Sequence, residues 1–196
     1  MDDITAKRLV FAMLDADGDG VISADEYFAR AERVTAATGR TKDDPLVIAA
    51  RTAGERAWAA MDANGDGGVT FDEYAAWAGA EAFDTVCEPV LGALFDLADT
   101  DKDGALNLPE FTTLRTALGN PVTNIKAAFA VLDTDGDGHI SRDDYLASVR
   151  AHVSGNNSPM GEALYSIGTT GAAEGVRQLD GAFRAAARAA PGAETA

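Results

Sequence analysis

Four twelve-residue segments of the chain place oxygen-bearing side chains at one fixed spacing. The segments cover residues 15–26, 62–73, 99–110 and 133–144, and are named loops 1 to 4. Each has an acid or amide at positions 1, 3 and 5, glycine at 6, a hydroxyl or amide at 9, and an acid at 12. Calcium takes about six to eight oxygen ligands in a geometry that a short loop can supply. The spacing therefore predicts four calcium sites.

The candidate ligands divide by their position in the loop. Positions 1, 3 and 5 offer side-chain oxygens, from Asp15, Asp17, Asp19, Asp62, Asn64, Asp66, Asp99, Asp101, Asp103, Asp133, Asp135 and Asp137. Position 7 offers a backbone carbonyl, so its side chain varies among Val21, Gly68, Ala105 and His139. Position 9 is expected to hold a bridging water, through Ser23, Thr70, Asn107 and Ser141. Position 12 closes the cage from the next helix, with Glu26, Glu73, Glu110 and Asp144.

Loops 2 and 4 differ from the other two. Loop 2 has Asn64 in place of an acid and the flexible pair Gly67-Gly68, so we expect it to bind calcium more weakly. In loop 4, Asp144 is one methylene shorter than glutamate. One interpretation is a weaker calcium site, or a site that accepts six-coordinate magnesium. The other is an ordinary calcium site whose exiting helix has moved inwards.

The residues around the loops predict the elements that position them. Apolar residues stand five, four and one positions before each loop, on one face of a helix, and an aromatic residue follows position 12. Position 8 is apolar in every loop: Ile22, Val69, Leu106 and Ile140. Branched residues there favour a short two-stranded contact, which pairs loop 1 with loop 2 and loop 3 with loop 4.

The loops resemble the EF-hand, whose pattern D-x-[DN]-x-[DN]-G-x5-E fits loops 1 to 3 and departs in loop 4 only at Asp144. The 47, 37 and 34 residues between loop starts and the closing segment 155–165 resemble the sarcoplasmic calcium-binding proteins, especially the prokaryotic calerythrin-type members. This resemblance implies an all-α fold, with four EF-hands in two pairs packed as one compact domain, and an intracellular calcium buffer. Family members often have a degenerate second hand, whereas loop 2 here retains its ligands.

The predicted domain covers residues 1–167, with hands at about 2–38, 45–86, 89–118 and 122–154. Residues 168–196 form a separate tail that begins with a flexible joint, Gly168 to Gly171. Val176, Leu179 and Phe183 make a narrow apolar stripe along a predicted extra C-terminal helix. This helix is either marginal and frayed, or an internal ligand in a groove between hands.

Composition excludes several classes of function. The net charge is -16, and four divalent ions would leave it at -8, so we expect no binding to nucleic acid. No apolar run is long enough to span a membrane, and the N-terminus has no signal-peptide pattern, which favours a cytoplasmic protein. We also expect a monomer. The single Cys87 and the two separated histidines form no catalytic set, so we expect no enzyme activity.

Two functions agree with these loops. The first is a calcium buffer or store. The second is a calcium sensor that changes conformation and regulates one dedicated protein partner. Promiscuous sensors expose a Met-rich groove, whereas Met13, Met61 and Met160 are scattered along this sequence. The scatter favours the buffer.

Overall fold

The computed structural model describes residues 3–120, 122–153 and 158–165 of the 196-residue chain. The predicted helix in the tail lies outside the described residues. The first half contains four helices and two short strands: α1 Asp3–Leu14, β1 Val21–Ser23, α2 Ala24–Ala37, α3 Pro45–Met61, β2 Gly68–Thr70 and α4 Phe71–Trp77.

The second half begins with a helical stretch that contains a π-helical turn. This stretch consists of α5 Ala80–Ala82, the π-helical turn Phe83–Cys87 and α6 Glu88–Ala98. Pro89 lies in the first turn of α6, where its missing N–H costs least. The remaining elements are β3 Ala105–Asn107, α7 Leu108–Ala117, α8 Val122–Leu132, β4 His139–Ser141, α9 Arg142–Val153 and α10 Pro159–Tyr165.

The start of each helix that leaves loops 1 to 3 is set by position 9 of the loop. Ser23, Thr70 and Asn107 are N-caps whose side chains accept a hydrogen bond from the backbone N–H at position 12. The glutamate at position 12 accepts a bond back from the N-cap N–H, which completes a capping box. The same two positions are therefore used for helix capping and as candidate ligands.

Two antiparallel strand pairs join the loops as the sequence predicts. Ile22 faces Val69 in one pair, and Leu106 faces Ile140 in the other. All four of these side chains are buried, with exposures of 0 to 1%. Loops 1 and 2, and loops 3 and 4, are consequently held side by side.

The two halves pack against each other. Helix α3 contacts α6, α2 contacts α7, and α1 contacts α9. Within the second half, Arg150 on α9 makes a two-pronged ion pair with Asp84 in the π-helical turn, at 2.6 and 2.8 Å. The aromatic residues after position 12 are buried as expected in three hands, namely Tyr74, Phe111 and Tyr145. The predicted architecture of paired hands in one compact unit is confirmed.

Candidate metal sites

Position 1 of each loop organises the backbone that follows it. In loop 1 the Asp15 carboxylate accepts from the N–H of Gly18 at 2.8 Å and of Gly20 at 3.0 Å. In loops 2 and 3 the corresponding N–H groups donate at 2.7 to 3.1 Å. Burial raises the pKa of Asp15 above its ordinary value, although these two hydrogen bonds act to lower it.

The loops turn at two positions, and the shared glycine at position 6 marks only one of them. Position 6 is glycine in all four loops, with φ between 84° and 93°. Position 4 also has positive φ in every loop, at Gly18, Gly65, Lys102 and Gly136. Lys102, with φ of 64°, is the only non-glycine residue with positive φ in the described part of the chain. The glycine at position 4 of three loops was a visible signal for this second turn.

Three of the four loops bring carboxylate oxygens together. The ligand atoms in each cluster all lie within 4.8 Å of one another, and the clusters are Asp15, Asp17 and Asp19; Asp99, Asp101 and Glu110; and Asp133, Asp135 and Asp137. Close carboxylates repel each other unless a cation lies between them. Hard oxygen donors in this number and spacing suit calcium. The residues present therefore fit the ion that the sequence predicts.

In loops 1 and 3 the closing glutamate already reaches across the loop. Glu26 Oε1 accepts from the N–H of Ala16 at 2.8 Å and of Asp17 at 3.1 Å. Glu110 Oε1 accepts from the N–H of Thr100 at 2.8 Å and from its hydroxyl at 2.7 Å. The carboxylate at position 12 thus touches positions 2 and 3 of its own loop.

Loop 2 is arranged differently. The N–H of Ala63, at position 2, donates to the carbonyl of Met61 at 2.9 Å. Glu73 Oε2 accepts from the N–H and hydroxyl of Thr70, at 3.0 and 2.8 Å. Within the described chain, neither oxygen of Glu73 accepts from positions 2 or 3. The closing carboxylate therefore stays at its own end of the loop.

Loop 4 has the same arrangement as loop 2. The N–H of Thr134 donates to the carbonyl of Leu132 at 2.9 Å. Asp144 Oδ2 accepts from the hydroxyl of Ser141 at 2.5 Å, and the Asp144 N–H donates to that hydroxyl at 3.1 Å. As in loop 2, the closing acid contacts position 9 and not the start of the loop.

The hydrogen bonds across loops 1 and 3 also act on ionisation. Burial acts to raise the pKa of Glu26, but the bonds that Ser23, Asp17 and Ala16 donate outweigh it and hold the pKa below its ordinary value. Glu110 has the same balance, and its pKa is also lowered. Both closing glutamates are therefore held as carboxylates, the form that binds a cation.

Positions 7 and 9 lie on the paired strands, where two loops are in contact. Position 7 of each loop faces position 9 of its partner loop. The ring of His139, at position 7 of loop 4, lies 3.7 Å from Asp103 Oδ2 of loop 3. This contact joins neighbouring loops through side chains as well as through the strands.

Models of known families match all four loops. A model of an EF-hand domain pair matches residues 88–150, and an EF-hand model matches residues 7–27 and 59–76. The first covers loops 3 and 4. The second covers the whole of loops 1 and 2.

Two curated proteins match over part of the chain. The luciferin-binding protein of Renilla reniformis is 39% identical over 75 residues, and calerythrin of Saccharopolyspora erythraea is 36% identical over 72 residues. Each match covers 37% of this chain and 41% of the relative. The chain is thus aligned with less than half the length of these two proteins.

Solved structures match over a longer stretch. A calcium-binding protein from Streptomyces coelicolor, described for calcium-mediated regulation, has a TM-score of 0.65 at 27% identity, covering 79% of this chain and 98% of that protein. The photoprotein mitrocomin from Mitrocoma cellularia has a TM-score of 0.68 at 22% identity, covering 83% and 90%. The second likeness is one of fold alone.

The loop geometry and these matches agree on one assignment. Four acidic loops are paired through short strands, and the family models match all four. The chain belongs to the EF-hand calcium-binding proteins, and among them it is similar to calerythrin.

Proposed function

We propose that this protein is a calcium buffer or store that binds up to four ions, one in each loop. The observation that carries the proposal is the set of three carboxylate clusters, each within 4.8 Å, beside a fourth loop of the same pattern. Bound calcium would supply the positive charge that offsets the repulsion among these groups. Because calcium binds the folded loops, its binding would also stabilise the fold.

The proposed ligands keep the roles that their positions predict. Side chains at positions 1, 3, 5 and 12 supply oxygens, position 7 supplies its backbone carbonyl, and position 9 holds a water. Asp144 contacts only position 9, which supports a weaker calcium site in loop 4 or one that also takes magnesium. We assign the weaker sites to loops 2 and 4.

The methionines support a buffer in a way that the sequence did not reveal. Met13, Met61 and Met160 are far apart in sequence, yet all three line one cavity between the two halves. Met61 and Met160 are each only 2% exposed. A sensor of the Met-rich type presents such residues to a partner, whereas here they fill the interior.

The alternative is a calcium sensor with one dedicated protein partner. It is favoured by the fold shared with the Streptomyces coelicolor protein, which is described for calcium-mediated regulation. Sensing would require the hands to open and expose the buried methionines. The two candidates therefore differ in how exposed apolar surface changes with calcium.

That difference can be measured with the neutral dye N-phenyl-1-naphthylamine, with and without calcium at constant magnesium. The full chain and a chain ending at Gly168 should be compared, so that any effect of the tail is separated. A buffer is expected to bind less dye when loaded, in both chains. A calcium-dependent rise in dye fluorescence would overturn the buffer and support the sensor.

Calcium binding itself is tested by calorimetry on chelator-stripped protein. We expect heat for up to four ions and a rise in helical signal. No heat on adding calcium would refute the metal assignment for all four loops. We also propose that the protein is a cytoplasmic monomer and performs no catalysis. The same samples should therefore run as monomers in size-exclusion chromatography.

The cavity between the halves does not lead us to propose luciferin binding. Its volume is about 100 Å³, whereas pockets that hold drug-sized ligands measure about 300–1,000 Å³. The luciferin-binding relative also matches only 37% of this chain.

In the described residues, no helix has the length and apolar character needed to cross a bilayer.

A further inference from the structure

A second and larger concavity lies outside the metal loops. It is a groove between α2 and α3, and its volume is about 640 Å³. Phe28, Val47 and Leu94 are among the apolar residues that line it. Its volume falls within the range of small-molecule sites, unlike that of the cavity between the halves.

The groove has a basic lining on an acidic protein. The chain carries 32 acids and 16 bases, yet four of those bases line this one groove: Arg30, Arg40, Lys42 and Arg51. Among the acids that the structure describes, only Glu32 and Glu55 line it. The charge of the groove is thus opposite in sign to that of the whole chain, which favours an anionic occupant.

The basic residues differ in how strongly they are held. Arg40 donates to Asp44 at 3.1 Å and to the carbonyl of Leu97 at 3.1 Å, which anchors it to the N-cap of α3 and to the end of α6. Arg51 lies 3.9 Å from Glu55, and both side chains are about 60% exposed, so their pairing is weak. Lys42 is exposed. Lys42 and Arg51 are therefore the residues best able to turn towards a ligand.

We propose that this groove binds an anionic amphiphile, a small molecule with an apolar ring or chain and one acidic group. The apolar part would lie on Phe28, Val47 and Leu94, and the acidic group would pair with Lys42 and Arg51. Because Tyr27, Arg30 and Val90 line both the groove and the cavity between the halves, the apolar end has a path towards the interior, although the proposal does not depend on it. No metal ligand takes part.

The test uses two dyes that differ by one sulfonate group, on the calcium-loaded full chain. They are 1-anilinonaphthalene-8-sulfonate and the neutral N-phenyl-1-naphthylamine, which lacks the sulfonate. We expect one sulfonate dye to bind per chain, at least about tenfold more tightly than the neutral dye. Equal affinity for the two dyes, or no binding of the sulfonate dye, would overturn the proposal.

Charge variants locate the site. Replacing Lys42 and Arg51 together by glutamine should weaken sulfonate-dye binding about tenfold. Arg56→Gln is the matched control, because Arg56 is exposed on the same helix but does not line the groove. An equal loss in the control and the double variant would show that net charge, and not this groove, governs dye binding, and the proposal would be wrong.

A steric variant tests the same site without changing charge. A Cβ added at Gly54 would lie 3.7 Å from the Phe28 ring, which is ordinary contact, so Gly54→Ala should keep the dye site. Gly54→Leu extends into the groove and should abolish sulfonate-dye binding while the calcium heat and helical signal remain. Full dye binding by a folded Gly54→Leu variant contradicts the proposal. If that variant does not fold, the charge variants decide.

Discussion

Loops 1 and 3 are closed by their glutamates, whereas loops 2 and 4 are not. In the first two, the N–H at position 2 donates to the carboxylate at position 12, at 2.8 Å in both. In the other two, the same N–H turns back to the carbonyl of the residue just before the loop, at 2.9 Å in both. Each strand-paired couple therefore contains one closed loop and one open loop.

The difference shows that matching the ligand pattern is not the same as assembling the site. Loop 2 has every residue of the pattern, but its Asn64 amide donates to Asp66 at 2.9 Å, a bond that an aspartate at position 3 would not make. Loop 4 has a shorter closing acid, Asp144. We therefore expect loops 1 and 3 to fill first as calcium rises, and loops 2 and 4 to follow.

The largest expected effect comes from removing the charge of a closing glutamate. Glu110→Gln should weaken calcium binding at loop 3 by about 100-fold or more, about 3 kcal/mol, because a charged ligand that also spans the loop is lost. Glu73→Gln in loop 2 is the matched variant. We expect its loss to be smaller, as read by site-resolved titration. Equal losses would remove the distinction between closed and open loops.

The buried His152 makes the stability of the metal-free protein depend on pH. Burial, reinforced by the positive charge of Arg115, lowers the pKa of His152 to about 4. Between pH 6.5 and 4 the unfolded chain takes up a proton that the folded chain does not, so stability falls as pH falls, by up to about 3 kcal/mol.

This dependence should appear in thermal unfolding of the metal-free protein. His152→Asn should flatten it, because the variant lacks the buried imidazole. If the slope between pH 6.5 and 4 survives in His152→Asn, the acid effect belongs to other groups, and the loop carboxylates become the first candidates.

Lengthening the short acid should convert loop 4 towards the closed type. In Asp144→Glu the carboxylate gains one methylene and can reach position 2, so we expect calcium affinity at this loop to rise about tenfold and magnesium competition to weaken. Calorimetry against the parent protein measures both. An unchanged affinity would show that the reach of the carboxylate does not limit this loop.

The smallest expected effect comes from removing the Thr100 hydroxyl at position 2 of loop 3. Thr100→Val removes the 2.7 Å bond to Glu110 and should destabilise the metal-free protein by about 1 kcal/mol. Thr134→Val makes the same change at position 2 of loop 4, and we expect it to be within about 0.5 kcal/mol of the parent. Chemical denaturation with a chelator present measures the pair. A similar loss of stability in both variants would show that valine at position 2 is itself destabilising, and that the bond to Glu110 is not the cause.

Much of the fold could be predicted because its signals are local. Position 8 predicted the strand pairs, and Ile22 does face Val69. The break between α2 and α3 is local too, because Gly39 has a positive φ and Asp44 is the N-cap of α3. These features depend on backbone conformation and on neighbours within a few residues, which a sequence displays directly.

Other features involve contacts that sequence distance conceals. The methionines appeared scattered, yet they surround one cavity. The groove was invisible for the same reason, since α2, α3 and α6 each supply only part of its lining. The left-handed conformation at position 4 was a different case, because three glycines signalled it and only Lys102 obscured it.

The sequence by itself determined that four oxygen-rich loops exist, how they are spaced and which ones pair, because ligand type, glycine position and apolar period are written along the chain. Only the tertiary structure decided which loops are closed and where the basic groove lies. Loop closure depends on whether the carboxylate at position 12 reaches the N–H at position 2, ten residues earlier in the chain. The groove depends on which helices pack together. Both are set by three-dimensional packing, which no local pattern encodes.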